Sequence, residues 1–404
     1  MSVISPIVWR APAHWSDLQG PRPLLMITTS YPATSTDLAG RFVHTLAQRL
    51  ADAGHRIYVL TPAGPGPDRP PGWSNEPGPV HLLRVAYPGW RYGPFHTEGL
   101  PDRFERSWRY GGLAAFAPLP GALVALALAT WLQACTVGPR LELVGHWLQP
   151  SGGLAQLCAR LGGWSATTIC HSGAVRLLVR WPRLVAAPLI HAGLGSGPFI
   201  ATCSELVEQL EQATARPLAH RAHIAAMPIE SPQRCGHPPS PPPFRVLTLS
   251  RHVPVKGLDH LIASASRWSG AVELQLAGDG PQREQLARQA RALGTAVRFH
   301  GVVTGRAKSR LLSTCHGFAL PSRQLPSGRT EGVPVALLEA LAYRLPILAT
   351  RVGGVPEALG LATDNPIDAA VTCEPSLEGL TEAWPTFLEQ MARRWDVPPT
   401  PAAH

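Results

Sequence analysis

The sequence predicts an α/β protein made of two doubly wound lobes. Three observations predict it: a strand–helix–strand order near residue 24, the same order near residue 245, and a proline-rich stretch between them. In the first lobe, Leu24-Leu25-Met26-Ile27-Thr28-Thr29 reads as a buried strand. A turn-rich loop from Ser30 to Gly40 leads into a helix whose Phe42, Leu46, Leu50 and Ala53 recur at three- and four-residue steps. Gly54-His55 ends that helix, and Arg56 to Leu60 is the next strand.

The second lobe repeats the order. Arg245 to Leu249 is a strand, the loop to Gly257 follows, Leu258 to Ser266 is helical, and Val272 to Ala277 runs into Gly278-Asp279-Gly280-Pro281. Between the lobes, Ser231 to Pro243 holds six prolines in thirteen residues, the composition of an extended linker. The expected division is residues 1–230, a linker at 231–243, and residues 244–404. Ligands in such folds bind beyond the carboxyl ends of the strands.

A length of 404 residues suits two ordinary domains, and an apolar fraction of 45% gives each a core. The net charge of +9 is nearly all arginine, because Lys256 and Lys308 are the only lysines. No arginine cluster interleaves with aromatics, so nucleic acid is not an expected partner; a basic surface favours anionic lipid headgroups instead. Seven scattered cysteines with no C-x-x-C spacing read as reduced thiols of the cytoplasm. Cys235-Gly236-His237 reads as a loop thiol rather than a metal-binding element. Residues 1–20 lack the basic start and apolar core of a signal peptide. Residues 110–139 carry no charge, but Pro118 and Pro120 leave only Gly121 to Val137, short of the roughly 20 residues of a bilayer span. A buried or surface-lying helix is expected there, in a soluble fold that touches the cytoplasmic face of a membrane.

The most informative stretch is Arg329-Thr330-Glu331-Gly332-Val333-Pro334-Val335-Ala336-Leu337-Leu338-Glu339-Ala340-Leu341-Ala342. Pro334 suits a first helical position, and the N–H groups near Val335 and Ala336 then form an anion site at the helix start. Glu331 would lie at one end of a phosphate there, and Glu339 at the other, each able to accept from hydroxyls. An unpaired carboxylate in the apolar surroundings of Glu339 would be expensive. Upstream, Ser250-Arg251-His252-Val253-Pro254-Val255-Lys256-Gly257 places a guanidinium and an ammonium five residues apart between a strand and a helix. Both can neutralise a diphosphate.

These elements, with Gly278-Asp279-Gly280-Pro281 and Thr350-Arg351-Val352-Gly353-Gly354-Val355-Pro356-Glu357, resemble the retaining family-4 glycosyltransferases of the GT-B fold, two Rossmann-like lobes facing a cleft. The resemblance covers most of residues 22–358. It implies that Arg251 and Lys256 bind the diphosphate of a nucleotide sugar, that Glu331 contacts the sugar being transferred, and that Glu339 holds the ribose hydroxyls. The backbone of Gly332, Val333, Pro334 and Val335 would line sugar and phosphates. Gly353-Gly354 reads first as a tight turn feeding a helix.

In the first lobe, Ser30-Tyr31-Pro32 and Gly40-Arg41-Phe42-Val43-His44 resemble the family's first loop, where Gly40 either lets phosphate approach or simply starts the helix. His146-Trp147-Leu148-Gln149-Pro150-Ser151-Gly152 matches the element beside the acceptor pocket, with Trp147 a core residue or a sugar platform. His171-Ser172-Gly173-Ala174 matches an element whose histidine faces the sugar, making His171 the candidate for orienting a hydroxyl or stabilising charge. Two departures stand out: Ala174 replaces a commonly expected aspartate, and only 47 residues follow Glu357, so the usual closing strand and returning helix are not visible.

No D-x-D pair occurs, and the resemblance implies no metal or other cofactor. The expected function is transfer of a sugar from a nucleotide-sugar donor to a glycan or lipid-linked acceptor with retention. A non-catalytic partner of another transferase is the alternative. A nicotinamide oxidoreductase is disfavoured, because Gly193-Leu194-Gly195-Ser196-Gly197 lacks the order and the preceding strand of a dinucleotide site.

Overall fold

The computed structural model describes residues 22–34, 37, 40–64, 71–75, 80–88, 119–230, 232–326, 330–360 and 370–397. The N-terminal stretch, residues 110–118, Ser231, Arg329 and the proline-rich tail from Pro398 lie outside that set. The described chain divides into two compact units, one ending at Pro228 and the other beginning at Ile229.

The first unit is an eight-stranded sheet. Its strands are β1 (Pro23–Ile27), β2 (Arg56–Pro62), β3 (Gly72–Asn75), β4 (Val80–Val85), β5 (Glu142–His146), β6 (Ser165–Cys170), β7 (Phe199–Ala201) and β8 (Ala222–Ile224). Their order is β3-β4-β2-β1-β5-β6-β7-β8, with β3 antiparallel to β4 and the other neighbours parallel. The helices are α1 (Arg41–Asp52), α2 (Leu119–Val137), α3 (Gly153–Gly162), α4 (Ser172–Leu178), α5 (Arg183–Leu194) and α6 (Ser204–Thr214). Alternation along β1 explains why both faces are covered. Leu24 and Met26 pack with Val43, Leu46 and Leu50 of α1, whereas Leu25 and Ile27 pack with Leu126 and Ala134 of α2.

Helix α2 resolves the charge-free segment. Ala122, Leu126, Thr130 and Ala134 recur every four residues and are buried. Val124, Leu128 and Leu132, on the opposite face, are 61%, 58% and 65% exposed. By length and composition it could cross a bilayer, yet one of its faces belongs to the sheet's core.

The second unit is a six-stranded sheet with every neighbour parallel. It comprises β9 (Phe244–Leu249), β10 (Val272–Ala277), β11 (Val297–Gly301), β12 (Gly317–Leu320), β13 (Ile347–Thr350) and β14 (Ala370–Cys373), in the order β11-β10-β9-β12-β13-β14. The helices are α7 (Leu258–Ala265), α8 (Arg283–Leu293), α9 (Gly305–Thr314), α10 (Val335–Ala342), α11 (Val355–Ala358) and α12 (Leu377–Trp395).

The closing strand that the sequence pattern hides is present. Four residues, Ala370 to Cys373, pair in parallel with Ile347 to Thr350. Helix α12 follows, its Ser376 Oγ accepting from Gly379 N at 3.0 Å as an N-cap. Trp384, Phe387 and Met391 are fully buried, each contributing about 2 kcal/mol of apolar burial, and Trp384 Nε1 donates to Ser264 Oγ of α7 at 2.9 Å.

Residues 232–243 of the proline-rich stretch form no helix or strand, and they are anchored to the second unit. Gln233 N donates to Tyr343 Oη at 3.0 Å and Cys235 N to Ser313 Oγ at 2.9 Å. His316 Nε2 donates to Pro239 O at 2.9 Å, while its Nδ1 accepts from Arg245 N at 2.8 Å.

In each sheet the strand order reverses beside the unit's first strand. In the first unit β1 lies between β2 and β5, and in the second β9 lies between β10 and β12. The crevice outside the carboxyl ends of β1/β5, and of β9/β12, is where an open α/β sheet accommodates a ligand.

Candidate functional site

The predicted residues fall on the segments that follow the strands beside the switch point of each unit. In the second unit, the loop after β9 carries Arg251, exposed, and Lys256, in a short turn before α7. The segment after β12 carries Ser322 and then Glu331. Lys256 Nζ donates to Glu331 Oε2, and Ser322 Oγ donates to the same oxygen at 3.2 Å. The side chains of Lys256 and Glu331 are 17% and 16% exposed, so the pair is shielded and still reachable.

The glutamate's backbone rests on the glycines that read as a mere turn. Gly353 has φ 55°, and a Cβ there would lie 1.9 Å from Glu331 O. Only glycine combines that left-handed conformation with so close an approach. Gly354, with φ −79°, packs against Gly332 less tightly, a Cβ there lying 3.0 Å from Gly332 C.

Helix α10 opens toward the same place. Pro334 is its N-cap rather than its first helical residue, one position earlier than expected, because its ψ of 117° is extended. Leu337 N and Leu338 N bond back to Pro334 O at 3.0 and 3.3 Å. The N–H groups of Val335 and Ala336 therefore stand at the open end, where the helix dipole attracts an anion. One turn in, Glu339 is 9% exposed between buried Leu338 and Ala340. Lys308 Nζ, from α9, donates to Glu339 Oε1 at 2.6 Å and lies 3.6 Å from Glu230 Oε2.

Lys308 is the residue that sequence reasoning missed. The signal was available: only two lysines occur in the chain, and each pairs with one of the two glutamates spaced eight apart. Ser322 offered no comparable signal. Among the described residues no group of three or more His, Cys, Asp or Glu side chains is placed to hold a metal ion.

In the first unit, Gly40 is the N-cap of α1 with φ 75°, and a Cβ there would lie 2.2 Å from Ser30 O. The glycine thus starts the helix and also lets the loop after β1 close onto it. His146 ends β5 and is fully buried; His171 follows β6 as the N-cap of α4 and is 7% exposed. His146 Nδ1 lies 3.3 Å from His171 Nε2, and the rings stack at 5.6 Å with 11° between planes. Phe42 and Trp147 flank His171 at 4.8 and 5.1 Å between centroids. Trp147 is half-buried, packing on the core while facing this histidine.

Burial pushes the His171 imidazole down to about 3. It also holds His146 well below the usual histidine range, with the neighbouring His171 acting in the same direction. Both rings are neutral near pH 7. His171 is therefore equipped to donate or accept a hydrogen bond. Ala174 is buried in the first turn of α4 and supplies no carboxylate beside the ring.

Residues 243–389 match the family model Glycosyl transferases group 1. Over 122 residues the chain is 38% identical to the GDP-mannose-dependent alpha-(1-6)-phosphatidylinositol monomannoside mannosyltransferase of Mycolicibacterium smegmatis, a match covering 28% of this chain and 31% of that protein. The chain thus spans about a third of that relative's length. A longer match, 23% identical over 350 residues and covering 83% of each chain, is to a putative teichuronic acid biosynthesis glycosyltransferase, TuaC, of Bacillus subtilis. Among solved structures, the catalytic domain of starch synthase IV from Arabidopsis thaliana, bound to ADP and acarbose, superposes with a TM-score of 0.63 at 15% identity, covering 92% of both chains. With two parallel-sheet Rossmann-like units, the chain has the GT-B fold of its structural neighbours, and its residues 243–389 carry a Glycosyl transferases group 1 domain.

Proposed function

We propose that the protein is a retaining, hexosyltransferase-type glycosyltransferase. It moves a sugar from a nucleotide-sugar donor to a glycan or lipid-linked acceptor, in cell-surface polysaccharide or glycolipid synthesis at the cytoplasmic face of the membrane. One observation carries the reading: Lys256, Glu331, the start of α10 and Glu339 surround the switch point of the second unit. That set supplies cations and helix N–H groups for a diphosphate, flanked by carboxylates for hydroxyls on either side. The relatives named for mannosyl transfer to a phosphatidylinositol mannoside and for teichuronic acid synthesis support the acceptor class.

In this reading the diphosphate lies against the N–H groups of Val335 and Ala336, with Arg251 and Lys256 offsetting the charge that grows as the nucleotide departs. Glu331 accepts from a hydroxyl of the transferred sugar, and Glu339 accepts from the ribose. The bond from the anomeric carbon to phosphate breaks, and the bond to the acceptor oxygen forms on the same face. The acceptor proton passes to the leaving phosphate oxygen. Gly40, His146, Trp147 and His171 serve the donor phosphate and the acceptor in the first unit, His171 as a neutral hydrogen-bonding group. The chemistry assigned here requires no metal or organic cofactor.

Helix α2 supports peripheral contact with an anionic membrane. Val124, Leu128 and Leu132 form an exposed apolar row, and the exposed side chains of Arg140 and Arg160 lie in the same α2–α3 region, whose sole acidic residue, Glu142, is buried.

A screen of UDP-, GDP- and ADP-sugars by thermal stabilisation tests the donor reading, with Glu339→Ala and Lys256→Ala alongside the parent. A nucleotide-selective rise in Tm that both variants lose is the expected result. A folded parent that responds to no donor would shift the reading to a non-catalytic partner of another transferase, which Ala174 favours.

A further inference from the structure

We propose that Lys308 is a positioning residue for the donor's ribose, holding Glu339 in the geometry and charge state that a vicinal diol requires. The inference rests on the donor-site reading above and extends it to a residue outside the Glu331–Glu339 segment.

Glu339 sits in an apolar helix, and a buried carboxylate there needs a compensating charge. Lys308 supplies it from α9, 31 positions upstream, at 2.6 Å, with its own side chain 14% exposed. An ionised carboxylate offers about four lone-pair sites, all acceptors, which is the chemistry that the hydroxyls of a ribose call for. Lys308 is itself held from a second direction by Glu230, 3.6 Å away and 40% exposed on its side chain. The ammonium therefore lies between two carboxylates, and its loss would leave two like charges facing each other. Glu339 would then turn away from Glu230 or take up a proton, and either change spoils an acceptor meant for two hydroxyl groups.

The consequence is specific to the ribose. Diphosphate recognition belongs to Arg251, Lys256 and the start of α10, so Lys308 should govern how strongly the site distinguishes a ribonucleotide from its 2′-deoxy counterpart. A purely structural lysine would lower stability without touching that ratio.

The test is calorimetric titration of the full chain with ADP, GDP and UDP, followed by the 2′-deoxy form of whichever binds tightest. The parent is expected to prefer the ribonucleotide by about tenfold, the scale of a lost hydrogen bond to a charged group. Lys308→Gln, which keeps a donor on a side chain one atom shorter but loses the charge, should bring the ratio near one, and Lys308→Arg should restore most of it. Should Lys308→Gln retain the parental ratio, or the parent show none, the inference is overturned while the donor site stands. Should the folded parent bind none of the three diphosphates, the donor reading and this inference fall together.

Discussion

Lys256 and Glu331 form an ion pair between the loops that follow β9 and β12, 75 positions apart in the chain. The partners should respond differently to substitution. Lys256→Ala removes a cation from the proposed phosphate position and leaves the Glu331 carboxylate beside it without that ammonium, so nucleoside-diphosphate affinity should fall by about a hundredfold. Glu331→Gln releases the ammonium, so diphosphate affinity should hold or rise while kcat for sugar transfer drops by about a hundredfold. Titration calorimetry paired with a donor-turnover assay separates the two; equal losses of affinity in both variants would contradict the assignment.

Gly353→Ala places a methyl group against Glu331 O in a left-handed conformation. The expected cost is roughly 1–3 kcal/mol of stability in a urea melt. Because the clash is with the loop bearing Glu331, nucleotide affinity should fall further than stability alone accounts for. A variant with parental affinity would show that the loop is placed by other contacts.

The stacked pair His146–His171 should make the first unit acid-sensitive. Both are held neutral in the fold, His171 with a value near 3, whereas the unfolded chain protonates near the ordinary 6.5. The stability they contribute is complete above about pH 6.5 and is lost as pH falls toward the folded values. His171 should cost about 2 kcal/mol by pH 5 relative to pH 8, and His146 acts in the same direction. Denaturant melts across that range should show the slope, and His171→Gln should reduce it. A flat profile in the parent would mean that water reaches the pair.

Leu128→Glu combined with Leu132→Glu alters the exposed row of α2 without entering the core, so stability should stay within about 1 kcal/mol. Sedimentation with vesicles containing phosphatidylglycerol should drop severalfold relative to the parent. Parental chain that stays wholly in the supernatant at low salt would remove α2 from the membrane argument.

Local periodicity made much of the architecture readable. The row Phe42, Leu46, Leu50 became α1, and the runs at 24, 56, 245 and 272 became β1, β2, β9 and β10, because apolar spacing reports burial directly. The strand β14 escaped because Ala370-Val371-Thr372-Cys373 is short and owes its place to pairing with β13. At the site, Glu331 and Glu339 were legible because one helix start carries both. Lys308 was not, since it arrives from another helix, and Phe42 read as a core residue until the fold set it against His171, 129 positions later. Contacts between elements leave no spacing in the sequence to read.

Having both lysines in the candidate donor site also gives the protein an unusual chemical simplicity. Reductive methylation with ¹³C-formaldehyde would place its only lysine-derived signals on Lys256 and Lys308, one for each carboxylate of the site. Two resonances would then report the surroundings of Glu331 and Glu339 separately, in a 404-residue chain that otherwise requires no isotopic labelling.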